Sequence, residues 1–243
     1  MEIFDDLEAE QDRLEDILAG LHDKAWATGS GAEGWTVSDV VLHLAQTEEA
    51  VVTTATDGGG GDYWARSAGT LDEVMDRRVR AERAEPDIVF RRWRTARRAA
   101  LAALRKADPQ RPLPWAAAPL KPRALATTRL AEHWAHGLDI TGPLGVPFPD
   151  TARLRHVAWL AHRSLPYAFA LAGAEPQDVY CELTGPDRST WRYGPPDAGS
   201  TITGPAGAFC RVGAQRLAPE QSGLVATGPH GPAALRLLRN YAA

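Results

Sequence analysis

Apolar residues return at helical spacing through most of the N-terminal half of the chain, and that periodicity removes most folds from consideration. In the first segment Ile3, Leu7, Leu14, Ile17, Leu18 and Leu21 recur at three- and four-residue steps between acidic residues and Arg13, the pattern of a helix with one buried face. Gly29, Gly31 and Gly34 are expected to end it. A second helix opens at "GWTVSD": Thr36 and Asp39 form a variant of the capping box, and Val37, Val40, Val41 and Leu44 follow as an apolar stripe. "DGGGGD" (57–62) breaks the chain. It lacks the Lys-Ser/Thr of a phosphate-cradling loop and reads as a flexible connection. Residues 70–84 are charged and permit a helix. Pro86 suits a first helical turn, and Val89, Phe90, Trp93, Ala96, Ala100 and Leu104 then share one side. A Pro-rich turn leads to a fourth main helix, and "GPLGVPFPD" (142–150) reads as a linker. Four amphipathic helices predict a bundle.

Past the linker the pattern changes. "ARLRHVAWLAHRSL" is helical, "DVYCELTG" and "STWRYG" read as strands across a "PDR" turn, and "STITG" as a third. "PAGAFCRVGAQRL" and "GPAALRLLRNYA" return to helical spacing. The prediction is α+β: a four-helix bundle over residues 1–145 and a smaller α/β domain over 146–243. A chain of 243 residues, 44% of them hydrophobic, can bury such cores without covalent staples. Cys181 and Cys210 are too few for a disulfide framework and suggest a reducing cytoplasm. The acidic N-terminus does not resemble a signal peptide, and no apolar run is long enough to span a bilayer. A formal net charge of −4 gives no general pull toward nucleic acid or anionic membrane. The arginines from Arg77 to Lys106 interleave with Glu73, Asp76, Glu82, Glu85 and Asp87, as on a solvated helix face. The expected partner is a small molecule, with no nucleic acid and no membrane; monomer and homodimer both stay open.

The stretch "RLAEHWAHGLDI" (129–140) carries the chemistry. Residues four apart on a helix lie about 40° apart around its axis, so Glu132 and His136 share an edge, with Asp139 on the same side. Leu130, Trp134 and Leu138 lie elsewhere. A carboxylate and an imidazole on one edge can bind a divalent cation, but a third ligand must come from another helix. His43, beside the apolar stripe of the second helix, is the best candidate. Such a His₂Glu set leaves one coordination position open, and Asp139 could orient a ligand from behind. The same residues also suit an ordinary solvent-facing edge. His133 with His136 is a competing pair, and a single histidine such as His43 is commonly structural.

"GWTVSDVVLHLA", then an R-x-x-E-x-x-x-H-x-x-D helix, then "GPAGAFCRVGAQR" together resemble the mycothiol-dependent maleylpyruvate isomerase family, part of the DinB-like metal-binding superfamily. The resemblance covers nearly the whole chain. It implies a DinB-like bundle, metal ligands at His43, Glu132 and His136, and no ligand role for His133. It also implies an active-site arginine in a Gly-Arg pair. Here the glycine is replaced by Gln215, which makes Arg216 the counterpart and Arg211 the alternative. Such an arginine could hold a carboxylate of substrate or thiol cofactor. The implied cofactors are a divalent metal, zinc in the first place, and the thiol mycothiol. The implied chemistry is thiol-dependent cis–trans isomerisation or S-transfer.

Fold alone does not fix a reaction. A thiol-independent, metal-dependent hydrolase, lyase or cyclase/isomerase of a specialised metabolite is the alternative. A non-catalytic metal or small-molecule binding protein is another. Cys181 and Cys210 are expected to be buried packing residues. Among Trp35, Trp93, Trp115 and Trp134, Trp134 is the first to test for substrate contact.

Overall fold

The structure, a computed structural model, describes residues 2–56, 69–116 and 118–241. The "DGGGGD" connection lies outside the described residues. The chain divides into two compact units, Met1–Phe148 and Pro149–Ala242. Ten helices occur among the described residues, none long and apolar enough to cross a membrane.

The first unit is the bundle. Its main helices are α1 (Ile3–Ala19), α3 (Val37–Thr56), α5 (Pro86–Lys106) and α6 (Pro122–Leu144), with the shorter α2 (Asp23–Trp26) and α4 (Leu71–Ala81) between them. Helix α1 stops well before the glycines expected to end it. Gly20 caps it, and His22 then starts α2 by accepting the Ala25 N–H on Nδ1 at 3.3 Å. The Thr36 and Asp39 pairing is realised at the start of α3. Asp39 N–H donates to Thr36 Oγ1 at 3.2 Å, and Thr36 N–H returns the bond to Asp39 Oδ2 at 2.9 Å. Helix α4 carries a full capping box between Thr70 and Glu73.

Helix α3 packs chiefly on α5 and α1 on α6, with α3 also touching α6. Leu14, Leu18, Val37, Val41, Leu44, Val89, Trp93 and Ile140 meet in one apolar core. Arginines of α5 tie the helices together: Arg92 to Glu49 and Glu82, Arg94, the buried Arg97 and Arg98 to Glu15, and Arg105 to Asp5 and Glu8. Most of these partners are acids of α1 and α3 rather than the acids interleaved with the arginines in sequence, and each exposed pair contributes about 0–1 kcal/mol.

The expected linker is in part bundle. Helix α6 continues through Gly142, Pro143 and Leu144 and ends at Gly145, whose φ of 64° closes a left-handed cap with Val146 N–H on Thr141 O at 3.0 Å. Phe148 then folds back on α6, so close that a Cβ at Gly137 would lie 2.5 Å from its ring. A glycine inside a helix costs about 1 kcal/mol relative to alanine; here it makes room for that ring.

The second unit holds α7 (Leu154–Arg163), α8 (Leu165–Leu171), β1 (Tyr180–Thr184), β2 (Thr190–Tyr193), β3 (Thr201–Pro205), α9 (Ala206–Gly213), β4 (Val225–Thr227) and α10 (Gly231–Leu237). The sheet order is β2-β1-β3-β4, with β1 antiparallel to β2, parallel to β3, and β3 antiparallel to β4. Three strands match the sequence reading. The three-residue β4 was too short to leave an alternating pattern. Cys181, Leu183 and Ile202 are buried from the sheet and Phe209 and Cys210 from α9, so the α+β class holds.

Candidate metal centre

Two helices bring three potential ligands together. His43 stands two turns into α3, and Glu132 and His136 share an edge of α6. One ligand atom from each lies within 4.8 Å of the others. Glu132 Oε2 is 3.6 Å from His43 Nε2 and 3.5 Å from His136 Nε2. Both distances exceed the roughly 2.7–3.2 Å of a good N–H···O hydrogen bond. Bonds of about 2.0–2.1 Å to a tetrahedral cation would put neighbouring ligand atoms about 3.3–3.4 Å apart. The donor set therefore fits a cation better than it fits a hydrogen-bonded triad.

The two imidazoles are held differently. His136 Nδ1 donates to Asp139 Oδ2 at 2.9 Å, which leaves Nε2 facing Glu132. His43 Nδ1 has no hydrogen-bond partner among the described residues. Its ring lies against Trp35, with centroids 5.1 Å apart, and Trp35 is anchored by Nε1–H to Asp76 Oδ1 at 2.9 Å.

Electrostatics follow the same arrangement. Burial holds the His43 imidazole below its usual range, against the opposing pull of Glu132. Burial also opposes charge on His136, but the Asp139 hydrogen bond and Glu132 outweigh it and raise that imidazole. Burial likewise disfavours the Glu132 anion; the His136 and His43 imidazoles and Arg129 overcome it and keep the carboxyl well below its ordinary range. The Glu132 side chain keeps 29% exposure, so the cluster is reachable from solvent.

His133 is built into something else. Trp93 Nε1–H can only donate, and it lies 3.2 Å from His133 Nε2. That nitrogen is therefore the acceptor, and Nδ1–H donates to Arg129 O at 2.8 Å. Burial, then the nearby Arg129 charge, push this imidazole down to about 3. Both nitrogens are spoken for, which separates His133 from His136 in a way that spacing could not. Beside it Arg129 Nε donates to Glu48 Oε1 at 2.8 Å and Nη2 to Thr47 Oγ1 at 2.7 Å, an ion pair with both side chains almost fully buried.

The remaining expected site residues are placed as follows. Trp134 is 2% exposed, so contact with a substrate would require the bundle around it to open. In the second unit Arg211 is held by Asp150 through two bonds of 2.9 and 2.8 Å. Arg216 follows the end of α9 and donates from Nη1 to Ala214 O at 2.7 Å. Gln215 before it has φ of 58°, a left-handed backbone that favours glycine. Arg216 N–H closes the turn onto Arg211 O at 2.8 Å. Glutamine thus occupies the left-handed position immediately before Arg216. Cys181 and Cys210 are fully buried. Burial pushes the Cys181 thiol up to about 12 and Cys210 further, so neither supplies a thiolate near neutral pH.

Sequence reasoning missed Gly31 and Trp35 as neighbours of the site. Both precede α3; Trp35 lies in the quoted "GWTVSD" stretch, but nothing in that stretch says that it packs on His43.

The class is a helical bundle carrying a His/Glu cluster between two of its helices, followed by a small α/β unit. The family described as "Mycothiol maleylpyruvate isomerase N-terminal domain" matches residues 7–141. Two curated relatives from Mycobacterium tuberculosis, "Uncharacterized protein MT0041" and "Uncharacterized protein Rv0036c", are each 36% identical over 217 residues, covering 88% of this chain and 84% of theirs. The crystal structure of the mycothiol-dependent maleylpyruvate isomerase and that of a histidine-to-alanine mutant share its fold. Their TM-scores are 0.60 and 0.63 at 15% identity, over 93% of this chain and 91% of each of those. The chain belongs to the mycothiol maleylpyruvate isomerase family.

Proposed function

We propose that this protein is a metal-dependent enzyme that uses a low-molecular-weight thiol, mycothiol in the first place, either to isomerise a small electrophile or to transfer the thiol's sulfur onto it. The observation that carries the reading is the convergence of His43, Glu132 and His136 from two helices, at separations suited to one cation. His43 Nε2, Glu132 and His136 Nε2 would hold the metal, with zinc the first choice for two imidazoles and a carboxylate. A divalent cation there would lower the pKa of a thiol, so that it serves as thiolate at neutral pH.

The chain's own residues supply the rest. Asp139 fixes which nitrogen His136 presents, and Glu132 keeps the cluster anionic enough to attract a cation. The protein's cysteines are buried and protonated, which is why the sulfur nucleophile comes from outside. Arg216 is carried in this reading, on the family resemblance, as the residue that holds a carboxylate. The cytoplasm, where reduced thiols accumulate, is the matching compartment.

The experiment is metal analysis of the purified protein, joined to turnover of cis-configured and electrophilic substrates with and without mycothiol. One equivalent of metal and strictly thiol-dependent turnover are expected. Turnover indifferent to thiol would move the assignment to a metal-dependent hydrolase, lyase or cyclase. Arg216→Ala should keep the metal and lose turnover; unchanged kinetics would remove its role.

A further inference from the structure

The loop ahead of α3 reaches both histidines. Trp35 lies against the His43 ring. On the other side, Gly31 N–H donates to the main-chain oxygen of Asp139 at 2.8 Å, and Asp139 is the residue whose carboxylate receives His136 Nδ1–H. The contact is close: a Cβ at Gly31 would lie 3.0 Å from Asp139 Cα and 3.1 Å from its Oδ1. It is available because position 143 is proline. In α6 the natural donor to Asp139 O would be the N–H of residue 143, which proline lacks. The loop is braced in turn: Ser30 N–H and Oγ–H both donate to Trp35 O, at 2.8 and 2.9 Å, and the Trp35 indole is fixed by Asp76.

We infer that the Ser30–Trp35 loop is a positioning element for the metal centre, holding Asp139 through Gly31 so that Asp139 aims His136, while Trp35 confines His43. Gly31 and Trp35 are positioning residues, since they act through other side chains. The inference rests on the proposed reading of the cluster as a metal site, and it deepens that reading by adding a loop remote in sequence from Glu132 and His136.

The test uses the full chain, stripped of metal. Zn²⁺ affinity is measured by competition with a chromophoric chelator, Co²⁺ is used for its ligand-field spectrum, and the melting temperature of each metal-free variant is recorded alongside. Loss of an orienting partner costs about 10–100-fold in metal affinity, and Asp139→Ala should fall in that range. Asp139→Asn keeps an acceptor oxygen for His136 and should recover most of the loss. Gly31→Ala pushes on Asp139 and should weaken Zn²⁺ by about 3–10-fold, with a shifted Co²⁺ spectrum. If Gly31→Ala folds poorly, Ser30→Ala loosens the loop without touching Asp139 and should weaken Zn²⁺ by about 2–5-fold. A protein that binds metal, yet binds it equally well and with the same Co²⁺ spectrum after either loop substitution, overturns the inference alone. An unmodified chain that takes up no metal overturns the site reading and this inference with it.

Discussion

Two faces of α6 hold histidines three residues apart in sequence with opposite fates. On one face His133 is sealed in, accepting from the Trp93 indole and donating to Arg129 O, beside the buried Arg129 and Glu48 pair. On the other, His136 and Glu132 face His43 with no donor between them at hydrogen-bond distance. Burial is nearly the same, since His133 is 0% and His136 9% exposed. What separates them is whether the second ring nitrogen already has a partner. His136 therefore keeps a ring nitrogen facing a carboxylate, as the proposed ligand role requires, and His133 does not.

The largest test of this contrast is metal content. His43→Ala, Glu132→Ala and His136→Ala should each abolish stoichiometric binding in elemental analysis, whereas His133→Ala should keep it. Metal lost from His133→Ala and kept by Glu132→Ala would reverse the two faces. Next comes Arg129→Met, which leaves Glu48 as an uncompensated buried charge. Denaturant unfolding should show a loss of about 3–5 kcal/mol, and a loss under 1 kcal/mol would mean the sealed face is not held by this pair. His133→Ala should cost about 2–4 kcal/mol through its cavity and the orphaned Trp93 N–H. A neutral result in the same assay would show that the network is dispensable. The smallest effect belongs to Gly137→Ala, at about 1–3 kcal/mol from overpacking against Phe148, although alanine is the better helix former. Stabilisation instead would show that the ring moves aside freely.

The sequence made some of this readable. Glu132 and His136 share an edge by helical arithmetic, and Thr36 with Asp39 marks the start of α3 because a capping box is local. The Thr70 and Glu73 box was equally local and would have placed α4 as a helix rather than a permissive stretch. His43 was a candidate from its place beside the apolar stripe and was singled out by the family resemblance, because nothing in its own segment states which residue of α6 it will face. The partners of His133 Nε2, Gln11 on α1 and Trp93 on α5, come from other helices, and only packing brings them together. The extension of α6 past the expected boundary also depended on distant groups. Gly142 and Pro143 look like a helix terminator, yet Gly31 supplies the bond that Pro143 withholds and Phe148 covers Gly137.

That arrangement at Pro143 has a mechanical outcome. Helix ends ordinarily fray, and the carbonyls of the penultimate turn lose their donors when they do. Asp139 draws its backbone donor from outside the helix, so unwinding of the residues after it removes nothing from its main-chain oxygen. The imidazole it steers is insulated from the loosest part of its own helix.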